Sequence, residues 1–312
     1  MKNKSLFSSI ALLLAALFWG CAFVAQDIGA EYLPPFTFNA IRMLLGGIIL
    51  FFAILVIDIF RKKNFIKTQN VEGLKTLGVK VFFDKKLLIT GVICGTVLAI
   101  ASTVQQFGIT LGTDAGKAGF ITTLYIVLVP VFGVFMKKRP KLNVWIGVLL
   151  AVIALYFLCI SGDFAIKIND LLVFICAFCF AGHIIVIDKF ASDLDSLKVS
   201  SVQFITTGIL CSIMAIIFET PKLENVLDCI LPLLYMAVFS TGIAYTLQVV
   251  AQKNVEPTIA SLLMSFEAVF AVLAGWVFGD ILTTNEIIGC VIMFVAVVLA
   301  QIEFGKKKNL MK

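Results

Sequence analysis

The run Leu6–Gln26, LFSSIALLLAALFWGCAFVAQ, contains 21 residues and no charged side chain. A helix needs about 20 apolar residues to cross the ~30 Å hydrocarbon core of a bilayer, so this run predicts a membrane-spanning helix. The rest of the chain has the same character, because 61% of its 312 residues are hydrophobic and only 14% are charged. Average soluble domains carry about 25% charged residues. The composition therefore predicts an all-α integral membrane protein.

Apolar runs of similar length recur along the sequence, and prolines and charged clusters separate them. They predict ten transmembrane helices in total, namely Leu6–Gln26, Phe36–Ile57, Leu87–Leu111, Ala115–Met136, Leu142–Ile160, Leu171–Lys189, Val199–Phe218, Val226–Ala251, Thr258–Phe278 and Thr284–Phe304.

Lysine and arginine are concentrated in alternate connections between the predicted spans. With the N-terminus in the cytoplasm, 21 of the 25 basic residues fall in cytoplasmic segments, whereas Lys117, Lys167 and Lys222 fall on the other side and Arg42 lies within a span. This bias predicts that both termini are cytoplasmic. The basic loop Arg61–Lys86 then faces lipid headgroups. The net charge of +6 thus indicates the lipid bilayer as a partner, and no nucleic acid.

The two halves of the chain are related to each other. A shift of 161 residues in the early spans and of 142 in the later ones superimposes similar residues, for example Asp27 on Asp188, Arg42 on Gln203, Gln106 on Gln248, Ala118 on Ala260 and Gly147 on Gly289. Each unit holds five spans, an odd number, so the second unit is inverted relative to the first. We predict repeats at residues 1–162 and 163–305, followed by a basic cytoplasmic tail at 306–312. Inverted repeats are typical of transporters, whose substrate site lies between the repeats.

Several local motifs also resemble those of a known family. They are Ala16-Leu-Phe-Trp19-Gly20-Cys-Ala-Phe23-Val24, Pro35-Phe-x5-Arg42, Ala115-Gly-Lys-Ala-Gly-Phe120-Ile-Thr-Thr-Leu-Tyr125 before Pro130, and Pro257-Thr-x-Ala-Ser261 before Phe266-Glu267-Ala268-Val269-Phe270. In order and spacing, across the whole chain, they resemble the EamA-type members of the drug/metabolite transporter superfamily. Ala268 stands where the family usually has proline, so we expect no discontinuity at this position.

The resemblance implies a ten-helix carrier that moves amino acids, related metabolites or drugs across the cytoplasmic membrane, often outward. It also favours a bacterial cytoplasmic membrane as the location. We therefore predict a secondary exporter of small organic metabolites, with amino acids or related compounds favoured, that acts by alternating access as a monomer or homodimer. The alternatives are an exporter of drugs or lipophilic cations and a non-transporting membrane scaffold or sensor.

Glu267 is the clearest candidate for chemistry, because ionisable groups at membrane depth are costly and commonly functional. It is the only carboxylate predicted near the midplane of a span. It can bind a substrate amine or carry a proton. Alternatively, it is a protonated glutamate that hydrogen-bonds a neighbouring helix.

Two further ionisable residues lie within predicted spans. His183 is the only histidine, and it can relay protons, contact substrate or simply pack with one hydrogen bond. Arg42 is predicted about 10 Å below the outer surface, where it can snorkel to headgroups or pair with Asp27 or Glu31. We expect a gating or structural role for Arg42 and for its repeat counterpart Gln203.

Polar and aromatic residues complete the predicted site. Two stripes at helical spacing, which include Gln106 on the third span and Tyr245 and Gln248 on the eighth, indicate either a shared central cavity or interhelical hydrogen bonds. Three aromatic residues line the cavity or contribute only to packing, namely Trp19, Tyr125 and Phe180. We find no nucleotide-binding loop, catalytic nucleophile motif or metal constellation, so we predict no enzyme activity, cofactor or metal.

Overall fold

The computed structural model describes residues 2–113, 115–137, 140–159, 167–277 and 283–301. These residues form α-helices and short helical turns. The helices are α1 (Lys2–Tyr32), α2 (Pro35–Lys67), α3 (Val71–Lys75), α4 (Lys85–Thr110), α5 (Ala115–Thr123), α6 (Tyr125–Phe135), α7 (Leu142–Cys159), α8 (Ile168–Phe190), α9 (Ser196–Phe218), α10 (Leu223–Asp228), α11 (Ile230–Tyr235), α12 (Thr246–Ala251), α13 (Pro257–Met264), α14 (Phe266–Val277) and α15 (Thr284–Gln301). A 3₁₀ turn covers Val79–Phe83, and a π-helical segment covers Met236–Tyr245.

Nine helical stretches in the described part of the chain are long and apolar enough to cross a membrane. A further apolar stretch, Leu142–Leu158 in α7, is shorter than these nine. Large apolar side chains on the outer surface, such as Phe52, Phe135 and Ile216, are 61%, 82% and 82% exposed. An exposed surface of this kind is suited to lipid. The integral membrane class is therefore confirmed, and the count of ten spans stays a prediction.

Three of the predicted spans are not single α-helices in the structure, and the eighth contains the π-helical segment Met236–Tyr245. The fourth divides into α5 and α6 at Leu124, and the ninth divides into α13 and α14 at Ser265. The expectation of an uninterrupted ninth span, based on Ala268, is wrong. The Ser265 hydroxyl donates to the carbonyl oxygen of Leu262 at 2.7 Å, and such a bond to the preceding turn bends helices without proline. Thr123, which a shift of 142 places on Ser265, donates likewise to Gly119 at 2.7 Å.

Helices α7 and α15 approach each other closely at two glycines. A Cβ on Gly147 would lie 2.8 Å from the Cβ of Ala300, and one on Gly289 would lie 2.7 Å from Cγ of Leu158. Gly147 and Gly289 are the pair that the sequence comparison superimposes. Since helices in lipid associate through close packing at small residues, these glycines hold α7 against α15.

Helices α2 and α9 pack side by side and are joined at both ends. At one end the Lys198 ammonium lies 2.9 Å from Oδ2 of Asp58, which also accepts the Gly78 N–H at 2.8 Å. At the other end Glu219 accepts the backbone N–H and the hydroxyl of Thr37, both at 2.7 Å. The 161-residue shift places Asp58 on Glu219 and Thr37 on Lys198. Each carboxylate thus binds the first turn of the opposite helix, Asp58 through a lysine ammonium and Glu219 through a backbone N–H and a hydroxyl.

Substitution of Gly147 by alanine tests the α7–α15 contact. The added methyl group clashes with Ala300 and with the carbonyl oxygen of Ala296, so we expect a loss of about 1–3 kcal/mol in unfolding free energy. Thermal unfolding of the purified protein in detergent measures it. The control is Gly182→Ala, since a Cβ at Gly182 meets no atom within 4 Å and should not lower stability. Equal midpoints for both variants would show that the two helices do not depend on this contact.

Candidate functional site

A polar cavity lies in the middle of the bundle. The space within it, its open mouth included, is about 480 Å³. The lining residues come from both halves of the chain, and they are Trp19, Phe23, Gln26, Arg42, Gln105, Thr122, Tyr125, Phe180, Ile184, Ser240, Tyr245, Gln248, Met264 and Glu267.

Glu267 reaches the cavity because α14 begins anew at Phe266, directly after the interruption at Ser265. Its side chain is 4% exposed, and Oε1 lies 2.9 Å from the Thr123 hydroxyl. The Tyr125 hydroxyl interacts electrostatically with the same carboxyl group, but it makes no hydrogen bond of ordinary geometry to any described residue. The 142-residue shift places Tyr125 on Glu267. Each of the two follows an interruption, at Leu124 and at Ser265, and both line the cavity.

The Thr123 hydroxyl has two acceptors for one proton. Its oxygen lies 2.7 Å from the carbonyl oxygen of Gly119 and 2.9 Å from Oε1 of Glu267. If Glu267 is ionised, Thr123 can donate to the carboxylate. If Glu267 is protonated, it can donate to Thr123, which then donates to Gly119. The contact thus accommodates both protonation states of Glu267.

Arg42 lines the same cavity from α2. It is 2% exposed, so the expectation that it snorkels to the outer surface is wrong. Its Nε donates to Oδ1 of Asn39 at 2.7 Å, and the centre of its guanidinium group lies 5.8 Å from the Phe38 ring centroid. This bond and the Phe38 ring hold the guanidinium group inside the bundle.

Aromatic rings surround the two charged groups. The rings of Trp19 and Tyr245 meet edge to face with centroids 4.8 Å apart, and Nε1 of Trp19 donates to the carbonyl oxygen of Ser240 at 3.3 Å. Ser240 and Tyr245 belong to the π-helical segment, and such segments are frequent at functional sites. Tyr245 interacts electrostatically with both Arg42 and Glu267, so its ring lies within range of both charges. Phe180 completes the aromatic lining.

Gln106 lies behind the cavity wall. Its Nε2 donates to the carbonyl oxygen of Gln26 at 3.1 Å, and its Oε1 accepts from Nε2 of Gln26 at 3.3 Å. Gln26 also bonds Oε1 of Gln105 at 3.1 Å, and Gln105 donates to Thr122 at 2.9 Å. These bonds join α1, α4 and α5. Gln106 is therefore not among the residues that line the cavity, whereas Gln26 and Gln105 are.

His183 and Gln203 also lie outside the cavity lining. Nε2 of His183 is 3.2 Å from Oε1 of Gln203, and both side chains are at most 1% exposed. The His183 ring packs edge-on against Tyr245 with centroids 6.0 Å apart. Tyr245 thus lies between His183 and the cavity.

The structure brings together seven of the ten predicted site residues, namely Trp19, Arg42, Tyr125, Phe180, Tyr245, Gln248 and Glu267. The sequence reasoning missed Gln26, Gln105 and Thr122, which contribute the polar lining of the first half. Gln26 was placed at the end of the first predicted span, but α1 continues to Tyr32, so this glutamine lies inside the bundle. Among the residues that the structure describes, no His, Cys, Asp or Glu cluster could hold a metal ion.

The sequence profile of the EamA-like transporter family matches residues 6–160 and again residues 167–301. The chain belongs to this family. An uncharacterized transporter of Archaeoglobus fulgidus is 30% identical over 302 residues, which cover 96% of this chain and 87% of that one. The uncharacterized transporter YoaV of Bacillus subtilis is 22% identical over 309 residues, covering 96% and 98%.

A protein of known crystal structure has the same fold. It superimposes with a TM-score of 0.73 at 17% identity, covering 94% of this chain and 96% of its own. The family and its relatives make this chain a multi-pass membrane protein of a transporter family.

Replacing Gln106 with leucine tests the network behind the cavity. The variant leaves the amide of Gln26 and its backbone carbonyl with fewer partners, and each buried unpaired group costs about 1–3 kcal/mol. We expect a clear drop in the thermal unfolding midpoint. The matched control is Gln248→Leu at the corresponding position of the second half, because the side-chain oxygen Oε1 of Gln248 bonds no described residue. If Gln248→Leu is the more destabilising, the network is not a structural element.

Proposed function

We propose that this protein is a secondary transporter that exports small organic metabolites, with amino acids and related compounds favoured, across the bacterial cytoplasmic membrane. One observation carries the proposal: a guanidinium group and a carboxyl group, Arg42 and Glu267, are both enclosed by the bundle and both line one cavity. In lipid-embedded proteins such groups mark substrate and ion pathways.

The arrangement of the charges suits a zwitterion. A guanidinium group presents paired N–H donors that match a carboxylate, and a carboxylate accepts the N–H groups of an ammonium. Trp19, Phe180 and Tyr245 can then contact the apolar part of the substrate. Tyr245, within electrostatic range of both charges, is placed to contact the centre of a bound amino acid.

We further propose ten spans in two inverted repeats with both termini cytoplasmic. The family profile matches the two halves separately, which supports a repeat. Equivalent contacts support it as well, since the Gly147 and Gly289 approaches and the Asp58 and Glu219 bonds are related by the shifts found in the sequence. An inverted pair of units can expose one cavity alternately to each side, and this is the alternating-access mechanism that we favour.

Glu267 is the group that we assign to proton coupling. A proton on Glu267 removes the charge that attracts the substrate ammonium, and the Thr123 contact accommodates the carboxyl group in both states. Binding of the substrate and of the proton then exclude each other. In a carrier that changes its open side only when it holds one of the two, such competition exchanges a proton for a substrate molecule between the two faces.

Lipophilic cations or drugs are the second candidate substrates. The aromatic lining and Glu267 together can hold an organic cation without any need for Arg42. Arg42 distinguishes the two candidates, because only a substrate with an anionic group gains from it.

Counterflow in proteoliposomes tests the proposal directly. Vesicles loaded with unlabelled amino acids should accumulate labelled ones well above protein-free vesicles. Arg42→Gln should reduce this uptake by at least tenfold, since a lost charge-assisted contact costs about 1.5–3 kcal/mol. Uptake of a labelled lipophilic cation, unaffected by Arg42→Gln, would favour the second candidate. No uptake of either class would leave a scaffold or sensor role.

Glu267→Gln tests the proton assignment. Glutamine keeps the size of the side chain and can donate to Thr123, but it carries no exchangeable charge. We expect uptake to fall at least tenfold and the remainder to lose its dependence on pH. Glu256→Gln is the control, because Glu256 is exposed at the start of α13. Uptake by Glu267→Gln at the wild-type rate with the wild-type pH profile would rule the assignment out.

A further inference from the structure

Buried polar atoms without a hydrogen-bond partner are concentrated in one part of the bundle. Among the residues that the structure describes, eight side chains have such an atom, and two of them are Tyr125 in the cavity and Asp58 in its ion pair. The other six lie on α8, α9 and α12 or, for Gln252, directly after α12, and they are at most 8% exposed. We call them the polar column, and they are His183, Ser200, Gln203, Thr246, Gln248 and Gln252.

The three helices of the polar column are joined around it. His183 contacts Gln203 at 3.2 Å between α8 and α9, and Gln252 donates to the carbonyl oxygen of Ile184 at 3.0 Å between α12 and α8. Ser196 donates to the carbonyl oxygen of Val249 at 3.5 Å between α9 and α12. The column therefore extends from Gln248, which lines the cavity, to the end of the bundle where α8 and α12 finish and α9 begins.

Two of the equivalent residues in the first half are hydrogen-bonded. The sequence shifts place Asn39 on Ser200 and Gln106 on Gln248. Asn39 donates to the carbonyl oxygen of Ser102 at 3.2 Å, and Gln106 bonds Gln26. At these two positions the unpaired atoms are therefore found in the second half of the chain and not in the first.

The unpaired atoms are of both chemical kinds. The side-chain oxygens Oε1 of Gln248 and Gln252 accept hydrogen bonds, and the side-chain nitrogen Nε2 of Gln203 donates them. The Ser200 and Thr246 hydroxyls do both. A bound cation would satisfy the acceptors alone. Water satisfies both kinds, and buried water characteristically bonds two to four such groups.

We propose that the polar column binds a chain of water molecules that connects the central cavity to this end of the bundle. The chain forms the hydrated route by which a polar solute reaches the cavity, exchanging its own hydration for the amides and hydroxyls of the column. This end of the bundle is the cytoplasmic one if the orientation proposed above is correct. The water site does not depend on that orientation.

Cysteine accessibility tests the column on two adjacent serines of α9. Both are fully buried, but the Ser201 hydroxyl donates to the carbonyl oxygen of Gly47 at 3.3 Å in the packed α2–α9 contact. In a background without the eight native cysteines, Ser200→Cys should react with a small charged thiosulfonate at least tenfold faster than Ser201→Cys. Membrane fragments that expose both faces make the result independent of orientation and of transport. Equal rates for the two variants would overturn the proposal.

Radiolytic hydroxyl-radical footprinting provides a second test on the unmodified chain. Radicals generated from bound water should oxidise His183, which is 1% exposed, at least tenfold faster than Phe38, which is 0% exposed in α2. Protection of His183 to the level of Phe38 would show that the column holds no water. Neither measurement uses a substrate, so failure here and failure of the proposed transport are distinguishable.

Discussion

A bilayer gives helices no hydrophobic reason to associate, because lipid tails are as apolar as the side chains that face them. What holds this bundle together must therefore be close packing and polar contacts that lipid cannot supply. The glycines of α7 and α15 allow their backbones to approach, and the carboxylates of Asp58 and Glu219 bind the first turns of α9 and α2.

The same constraint determines where polar chemistry can be placed. Backbone that departs from a helix is tolerated at membrane depth only where protein or a water-filled cavity surrounds it. The interruptions at Leu124 and Ser265 and the π-helical segment occur on helices whose residues line the cavity. The interruption at Ser265 directs Glu267 inward, and Thr123, from the other half, contacts it. Both halves are thus needed to enclose one carboxyl group.

Much of this arrangement was predictable from the sequence. The lengths of the apolar runs predict the helices. The 142-residue shift, read from the sequence alone, pairs Tyr125 with Glu267 and Gly147 with Gly289. Periodicity does not reveal local hydrogen bonds, so the interruption at Ser265, which results from its hydroxyl, was missed. Periodicity also gives only the face of a helix on which a residue lies. It therefore predicts Gln106 in the cavity, although Gln26 lies between Gln106 and the cavity. The rise along a helix gives the depth of Arg42 but not the direction of its side chain, which lines the cavity and does not reach the outer surface.

The pairing of α2 with α9 and of α7 with α15 has a consequence for biosynthesis. Each pair takes one helix from each half of the chain, so the first half leaves the ribosome with the packing faces of α2 and α7 uncovered. Those faces cannot be covered until α9 and α15 have been inserted, and the buried Asp58 meets its ammonium partner only then. The first half must therefore wait in the membrane as a set of inserted but loosely associated helices.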